Sequence, residues 1–224
     1  MDLTYDAIVK MIDLSAVRAE HGEAEIDLLA ETARRYRVGS VHALPAFVPR
    51  LMARLGDAPE MIVGAPVGFP SGGQTARIKA AEARELVEMG CAEIDMVINI
   101  GKLRSGYDGE VLDEMGAVIA AAEGRPVKVI LECYYLDDDQ IRRGCDLAIA
   151  AGARYVKTGT GWAPGGATLE NIALIKAHVG DAIGIKAAGG IRSLATLLEM
   201  YRLGARRFGI GLSAIGKVLE GAHF

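Results

Sequence analysis

Eight short runs rich in β-branched residues alternate with helical stretches along this chain, at about residues 9–13, 38–44, 60–66, 92–99, 126–133, 153–158, 182–188 and 205–210. Strands that alternate with helices pair in parallel, because each crossover helix returns the chain to the starting end of the sheet. The helical stretches include QTARIKAAEARELVEMG (74–90) and DDDQIRRGCDLAIAAG (137–152). In the first, Ile78, Ala81, Leu86 and Met89 predict the core-facing stripe. Gly90, Gly152, Gly180 and Gly204 stand where helices end just before strands, a position whose positive φ favours glycine. These glycines are 62, 28 and 24 residues apart. The first interval covers two units, so the repeat is about 24–31 residues. Eight such units predict an α/β fold closed into a (β/α)8 TIM barrel. An open doubly wound sheet would place a glycine-rich turn after its first strand, and MIDLSAV (11–17) has no glycine. No composition break marks a linker, so residues 1–224 are expected to form a single barrel domain, for which ~200 residues suffice.

Half of the residues (51%) are hydrophobic but only 5% are aromatic. Small aliphatic side chains must therefore fill the core, as in a parallel sheet covered by helices. The net charge of −4 provides no basic field, which argues against nucleic acid as a partner. Cys91, Cys133 and Cys145 have no metal-ligand spacing, and their odd number reads as reduced thiols of a cytoplasmic protein. The first turns carry Asp2, Asp6, Lys10 and Asp13, which is not a targeting pattern. No apolar run approaches the ~20 residues of a membrane span.

In a β/α barrel the active site forms at the C-terminal strand ends. Strand side chains alternate between the barrel interior and the helix layer. That parity puts Asp95, Val97 and Asn99 inside on the fourth strand, and Lys128, Ile130 and Glu132 inside on the fifth. Tyr155 and Lys157 follow on the sixth and Lys186 on the seventh. Buried lysine and glutamate are rare unless paired, and Lys128 with Glu132 suits a structural ion-pair network. Lys157 and Lys186, on adjacent strands, would repel each other, which makes little sense for stability alone. It does make chemical sense. An amine attacks a carbonyl only when neutral, and free lysine titrates near ~10.4. A neighbouring ammonium and partial desolvation bring it down to ~7–8. One lysine is then the nucleophile and the other the cation that keeps it neutral, with Asp95 able to move protons.

A phosphate site is the second expectation. GGIR (189–192) and GIG (209–211) follow the seventh and eighth strands, where barrels frequently hold phosphate on backbone N–H groups, and Arg192 adds a charged donor. His42, ending the second strand, lines the mouth or is a satisfied polar neighbour. His21, His178 and His223 read as surface or terminal residues. APVGFPSGG (65–73) is a structured turn or a rigid mouth segment. No HxH pair or carboxylate cluster at ligand spacing appears, so neither metal nor cofactor is expected.

These segments together resemble the deoxyribose-phosphate aldolase family nearly end to end: IDLS (12–15), VGFPSG (67–72), EIDMVINIG (93–101), VKVILE (127–132), YVKTGTG (155–161), IKAAGGIR (185–192) and RRFGIG (206–211). The resemblance implies a class I aldolase that reversibly cleaves 2-deoxyribose 5-phosphate to glyceraldehyde 3-phosphate and acetaldehyde. It implies Lys157 as the Schiff-base lysine, Lys186 as the lysine depressing its pKa, and Asp95 as the proton relay. Asp13 and Asn99 match polar positions around that site. Gly159, Gly189, Gly190 and Arg192 match the phosphate positions, to which the last loop adds Gly209 and Gly211. A homodimer is the expected assembly.

The chain departs from the family where serines are common, at Gly159, at Ala187–Ala188 and in the last loop, where only Ser213 remains. A missing charge-assisted hydrogen bond is worth about 1.5–3 kcal/mol, so weaker phosphate affinity is expected. The tail ending in His223–Phe224 lacks the terminal tyrosine of some relatives, and no tail-assisted proton transfer is expected. Three other readings stand beside this one: the same mechanism on a different or unphosphorylated aldehyde, a sugar-phosphate isomerase or epimerase without an imine, and a non-catalytic sugar-phosphate-binding barrel.

Overall fold

In the computed structural model, which describes residues 3–56, 58 and 60–220, eight parallel strands close on themselves in sequence order. The strands are β1 (Ile12–Ala16), β2 (Ser40–Ala43), β3 (Ile62–Val67), β4 (Glu93–Val97), β5 (Val127–Ile130), β6 (Tyr155–Lys157), β7 (Gly184–Ala188) and β8 (Arg207–Gly211). An opening helix α1 (Tyr5–Lys10) precedes them, and α2 (Glu23–Tyr36), α3 (Val48–Leu55) and α4 (Ala76–Glu88) follow the first three strands. Two helices, α5 (Ile100–Arg104) and α6 (Asp108–Ala121), follow β4. The circuit continues through α7 (Asp138–Ala151), α8 (Leu169–Val179), α9 (Leu194–Arg202) and α10 (Ile215–Val218). The (β/α)8 barrel expected from the repeat is thus present. The tail residues His223 and Phe224 lie outside the described residues.

The strands are short because each needs only to cross the barrel wall, and their outward side chains meet the helices. Ile94, Met96 and Ile98 on one side, and Ile183, Ile185 and Ala187 on another, join the apolar layer between strands and helices. Burying such aliphatic side chains is worth roughly 1.5–3 kcal/mol each for the larger ones. The helices begin on the caps their sequences supply. Asp137 accepts from the Gln140 N–H at 2.8 Å while the Gln140 side chain accepts from the Asp137 N–H at 3.1 Å, a reciprocal capping box. Gly90, Gly152, Gly180 and Gly204 all have positive φ, as their place between helix and strand demands.

One stripe differs from expectation. Ile78 and Ala81 of α4 are exposed, and the buried face is Lys79, Ala83, Leu86 and Val87. The helix is rotated because Lys79 goes inward: its Nζ donates to the Val97 carbonyl and to Glu114 Oε1, both at 2.7 Å. Among the described residues no helix is long and apolar enough to cross a membrane.

Candidate active site

Parallel register alone brings Lys157 and Lys186 together. Lys157 of β6 lies opposite Lys186 of β7, and Asp95 of β4 lies opposite Lys128 of β5. The Nζ atoms of Lys157 and Lys186 both reach one oxygen, Asp95 Oδ2, at 2.8 and 2.6 Å. Lys186 also lies 2.5 Å from Asp13 Oδ2. The two amines differ in access: Lys157 is 9% exposed and Lys186 1%. Both line a cavity of about 290 Å³ at the C-terminal strand ends, with Asp13, Asp95 and His42.

Below them a second layer of charge fills the barrel. Lys128 Nζ lies 2.5 Å from Glu93, 2.7 Å from Asp13 and 3.4 Å from Asp95. Arg207 reaches Asp13 at 2.5 Å and Glu93 at 3.0 Å. His42 Nε2 lies 3.0 Å from Glu93 Oε1 and 3.1 Å from Ser40 Oγ. Burial pushes the carboxyls of Asp13 and Asp95 upward, but the surrounding ammonium groups overrule it and hold both well below the usual range. Glu93 is likewise held at about 2, against its burial, by His42 and Lys128. Lys186 goes the other way. Burial brings it down to about 8, helped by Lys128 and Lys157 and opposed by Asp13 and Asp95.

The charge count explains why a lysine here can give up its proton. Four basic side chains (Lys128, Lys157, Lys186, Arg207) share three carboxylates (Asp13, Glu93, Asp95). One amine can become neutral while each carboxylate keeps a cation beside it.

The segment after Lys157 is tied down on both sides. Thr158 Oγ1 donates to the Ala188 carbonyl at 2.9 Å and accepts from the Ala188 N–H at 3.0 Å, joining the ends of β6 and β7. The Thr160 N–H and hydroxyl both donate to Glu132. Glu132 is therefore not the Lys128 partner that parity suggested. β5 ends at Ile130, Glu132 adopts left-handed backbone at φ 57°, and alternation stops there. Gly189, at φ 89°, packs against Gly166, where a side chain would strike the Gly189 carbonyl.

Of the residues singled out from sequence, Lys157, Lys186, Asp95, Asp13, Gly189, Gly190, Arg192, Gly209 and Gly211 all line the cavity. Asn99 and Gly159 do not. Asn99 caps α5, accepting from the Lys102 N–H at 3.0 Å. Gly159 backs onto Glu132, whose Oε1 would lie 2.7 Å from an added Cβ. His21, expected at the surface, lines the cavity beside Arg18, and Pro66 and Phe69 make the 65–73 loop part of its wall. Glu93, Arg207, Arg18 and Trp162 were missed. For the first two the signal was present: extending strand parity backward from Asp95 and Gly209 puts both inside.

Sequence spacing gave no ligand cluster, yet the fold assembles one from three strands. Asp13, His42 and Asp95 offer ligand atoms within 4.8 Å of one another. The Lys186 ammonium lies between the two carboxylates and fills the place a cation would take.

Amines able to shed a proton, set on a carboxylate at the mouth of a β/α barrel, are equipped for carbonyl chemistry, and the class they define is the barrel aldolases. The comparisons carry this further. The family model described as DeoC/LacD family aldolase matches residues 6–217. The deoxyribose-phosphate aldolase of Klebsiella pneumoniae is 46% identical over 222 residues, covering 98% of this chain and 89% of the relative. That of Sinorhizobium medicae is 50% identical over 203 residues, covering 91% and 82%. Among solved structures, the tetrameric deoxyribose phosphate aldolase of Aeropyrum pernix superimposes with a TM-score of 0.88 at 27% identity, covering 97% of this chain and 91% of that one. The chain belongs to the DeoC/LacD family of aldolases, and it is an aldehyde-lyase.

Proposed function

We propose that this aldolase cleaves 2-deoxy-D-ribose 5-phosphate reversibly to D-glyceraldehyde 3-phosphate and acetaldehyde, with Lys157 as the Schiff-base nucleophile. The observation that carries the reading is the shared Asp95 oxygen, with the more accessible amine of the pair opening into the cavity. The neutral Lys157 amine attacks C1 of the open-chain sugar, and loss of water leaves a protonated imine. Asp95 removes the C3 hydroxyl proton as the C2–C3 bond breaks. The bond's electron pair moves to the enamine, and C3 becomes the aldehyde carbon of glyceraldehyde 3-phosphate. Protonation at C2 and hydrolysis then release acetaldehyde. Lys186 and Lys128 supply positive charge beside the attacking amine, both gathered with it on Asp95. Gly189, Gly190, Arg192, Gly209 and Gly211 take the phosphate, and Asp13 holds Lys186 in place.

A second reading exchanges the roles of the two lysines. The depressed amine is Lys186, which would make it the attacking group and Lys157 the cation. Incubation with acetaldehyde, borohydride reduction and peptide mass spectrometry separate the two. A two-carbon adduct on Lys157 that is absent from Lys157→Leu supports the first. An adduct on Lys186 supports the second, and no adduct on either lysine of the folded protein overturns both.

The reaction also proceeds without a metal in this reading, since lysine ammonium groups supply the positive charge where Asp13, His42 and Asp95 converge. Activity unchanged after chelator treatment is the expected result. Residues 1–224 act as one cytoplasmic barrel domain, and the assembly is a homodimer. Light scattering that returned the mass of a monomer or tetramer would overturn the last point.

A further inference from the structure

The cavity separates its charges by depth. Its two lining carboxylates, Asp13 and Asp95, are buried and held by lysines, whereas its exposed charged residues are Arg18 and Arg192. A substrate whose carbonyl sits on the lysine pair therefore directs its other end to a rim whose lining charges are the cations Arg18 and Arg192, with the exposed Glu20 beside Arg18. Arg192 is part of the phosphate site already proposed. Arg18, two residues beyond β1, is not.

The guanidinium of Arg18 is placed but not used up. It lies over the ring of Trp162 at 4.8 Å, a face that attracts a cation. Trp162 is itself fixed: its Nε1–H donates to the Val17 carbonyl at 3.0 Å, and its ring meets Phe69 edge-on at 5.9 Å. The polar contacts of Arg18 are long, 3.4 Å to the Gly161 carbonyl and 3.6 Å to the exposed Glu20. An exposed pair of that kind holds its partners weakly. Among the described residues most of the five N–H donors of the fork have no close acceptor, on a planar group suited to bidentate contact with phosphate oxygens.

We propose that Arg18, carried on Trp162, is a specificity-determining residue that recognises the phosphate of the substrate from the β1 side of the cavity that Arg192 and the Gly189–Gly190 loop also line. The proposal rests on the phosphorylated-substrate reading above. It assigns to one guanidinium the discrimination that hydroxyl donors in the last loop would otherwise share.

The test exploits the fact that Trp162 is the single tryptophan of the chain. Inorganic phosphate at constant ionic strength is titrated into the wild type, Arg18→Met and Arg18→Lys while tryptophan emission is followed. Loss of a charge-assisted contact predicts a midpoint raised about tenfold or more in Arg18→Met, with Arg18→Lys between. In cleavage assays, KM for 2-deoxyribose 5-phosphate rises by about the same factor, kcat stays within about threefold, and kcat/KM for unphosphorylated 2-deoxyribose is unchanged. An unaltered phosphate midpoint in Arg18→Met overturns the proposal, as does an equal loss on both sugars, which would mark a deformed mouth. If the wild type cleaves neither sugar, the proposed function falls by itself, and the phosphate midpoint still decides the role of Arg18.

Discussion

Among the described residues, one cluster of buried charge lies inside the barrel and another between α4 and α6, and their carboxylates behave oppositely. Inside the barrel, Asp13, Glu93 and Asp95 are held below their ordinary pKa values and Lys128 is pushed above its own, in each case against burial. In the helix layer, burial wins on both partners: Lys79 is lowered, and Glu114 is raised. The difference is the number of counter-charges. Lys128 meets three carboxylates, whereas Lys79 has Glu114 as its close partner. A single attraction does not repay the loss of hydration of two ions, whereas the three that converge on Lys128 do; Lys186, with two, is still brought down by burial. The barrel cluster can therefore keep charges in place for chemistry. The helix-layer pair has a mechanical task, since it holds the Val97 carbonyl and the Asn99 N–H at the end of the strand that carries Asp95.

The largest test of this contrast exchanges one carboxylate for its amide in each cluster. Asp95→Asn removes the charge shared by Lys157 and Lys186 and, in the proposed mechanism, the group that takes the substrate proton. Activity should fall by about 10²–10⁴-fold, the usual scale for a positioned acid–base group. Glu114→Gln should leave kcat within a few-fold, because the amide oxygen can still accept from Asn99 and Lys79. Cleavage assays on the purified variants check both. Comparable losses would mean that the helix-layer pair acts on the chemistry through β4.

Stability should rank the same residues differently. Glu114→Leu leaves a buried ammonium without its counter-charge, and about 3–5 kcal/mol of destabilisation is expected. Adding Lys79→Met removes the stranded cation, so the double variant should be more stable than Glu114→Leu alone. It should remain below wild type, because the Val97 carbonyl and Asn99 N–H lose their partners at about 1–3 kcal/mol each. Denaturant midpoints of the three variants give the answer. Strictly additive losses would show that the two side chains are not coupled.

The pH profile distinguishes the clusters by sign. Carboxylates with depressed folded pKa values stabilise the fold fully above their unfolded values of about 4, and that contribution is lost as the pH falls through the folded ones. For Glu93 the loss extends down to about 2. Acid unfolding should thus begin below pH 4 and be steepest where these groups protonate. On the alkaline side Lys186 titrates near 8. If the reaction requires Lys186 as a cation beside the attacking amine, kcat/KM falls as the pH rises through that value. A rise through the same pH would identify Lys186 as the attacking amine.

Much of this was legible in the chain. The spacing of Gly152, Gly180 and Gly204 marks the repeat, and parity on the strands places Lys157, Lys186 and Asp95 in one space before any coordinate is known. What escaped has physical causes. Parity holds only while backbone stays extended, so it failed at Glu132, where a left-handed residue turns the side chain toward Thr160. Hydrophobic periodicity misassigned α4 because it counts Lys79 as polar, although a lysine with a buried acceptor packs as a core residue. Arg18 and Trp162 lie on loops with no period to reveal them, and only three-dimensional placement puts one over the other.

The smallest expected effect concerns Asn99, which the family resemblance placed at the site and the structure places at a helix start. Its side chain caps α5 through the Lys102 N–H, while its own N–H belongs to the Glu114 cluster. Asn99→Ala keeps the backbone contact and removes only the cap, so about 1 kcal/mol of stability should be lost. KM for 2-deoxyribose 5-phosphate should stay within about twofold, since a lost hydrogen bond to the substrate would raise it well beyond that. Thermal unfolding and steady-state kinetics on the same preparation separate the two roles. A KM change without a stability change would bring Asn99 into the cavity when substrate binds, and would join the end of β4 to the barrel cluster rather than to the helix layer.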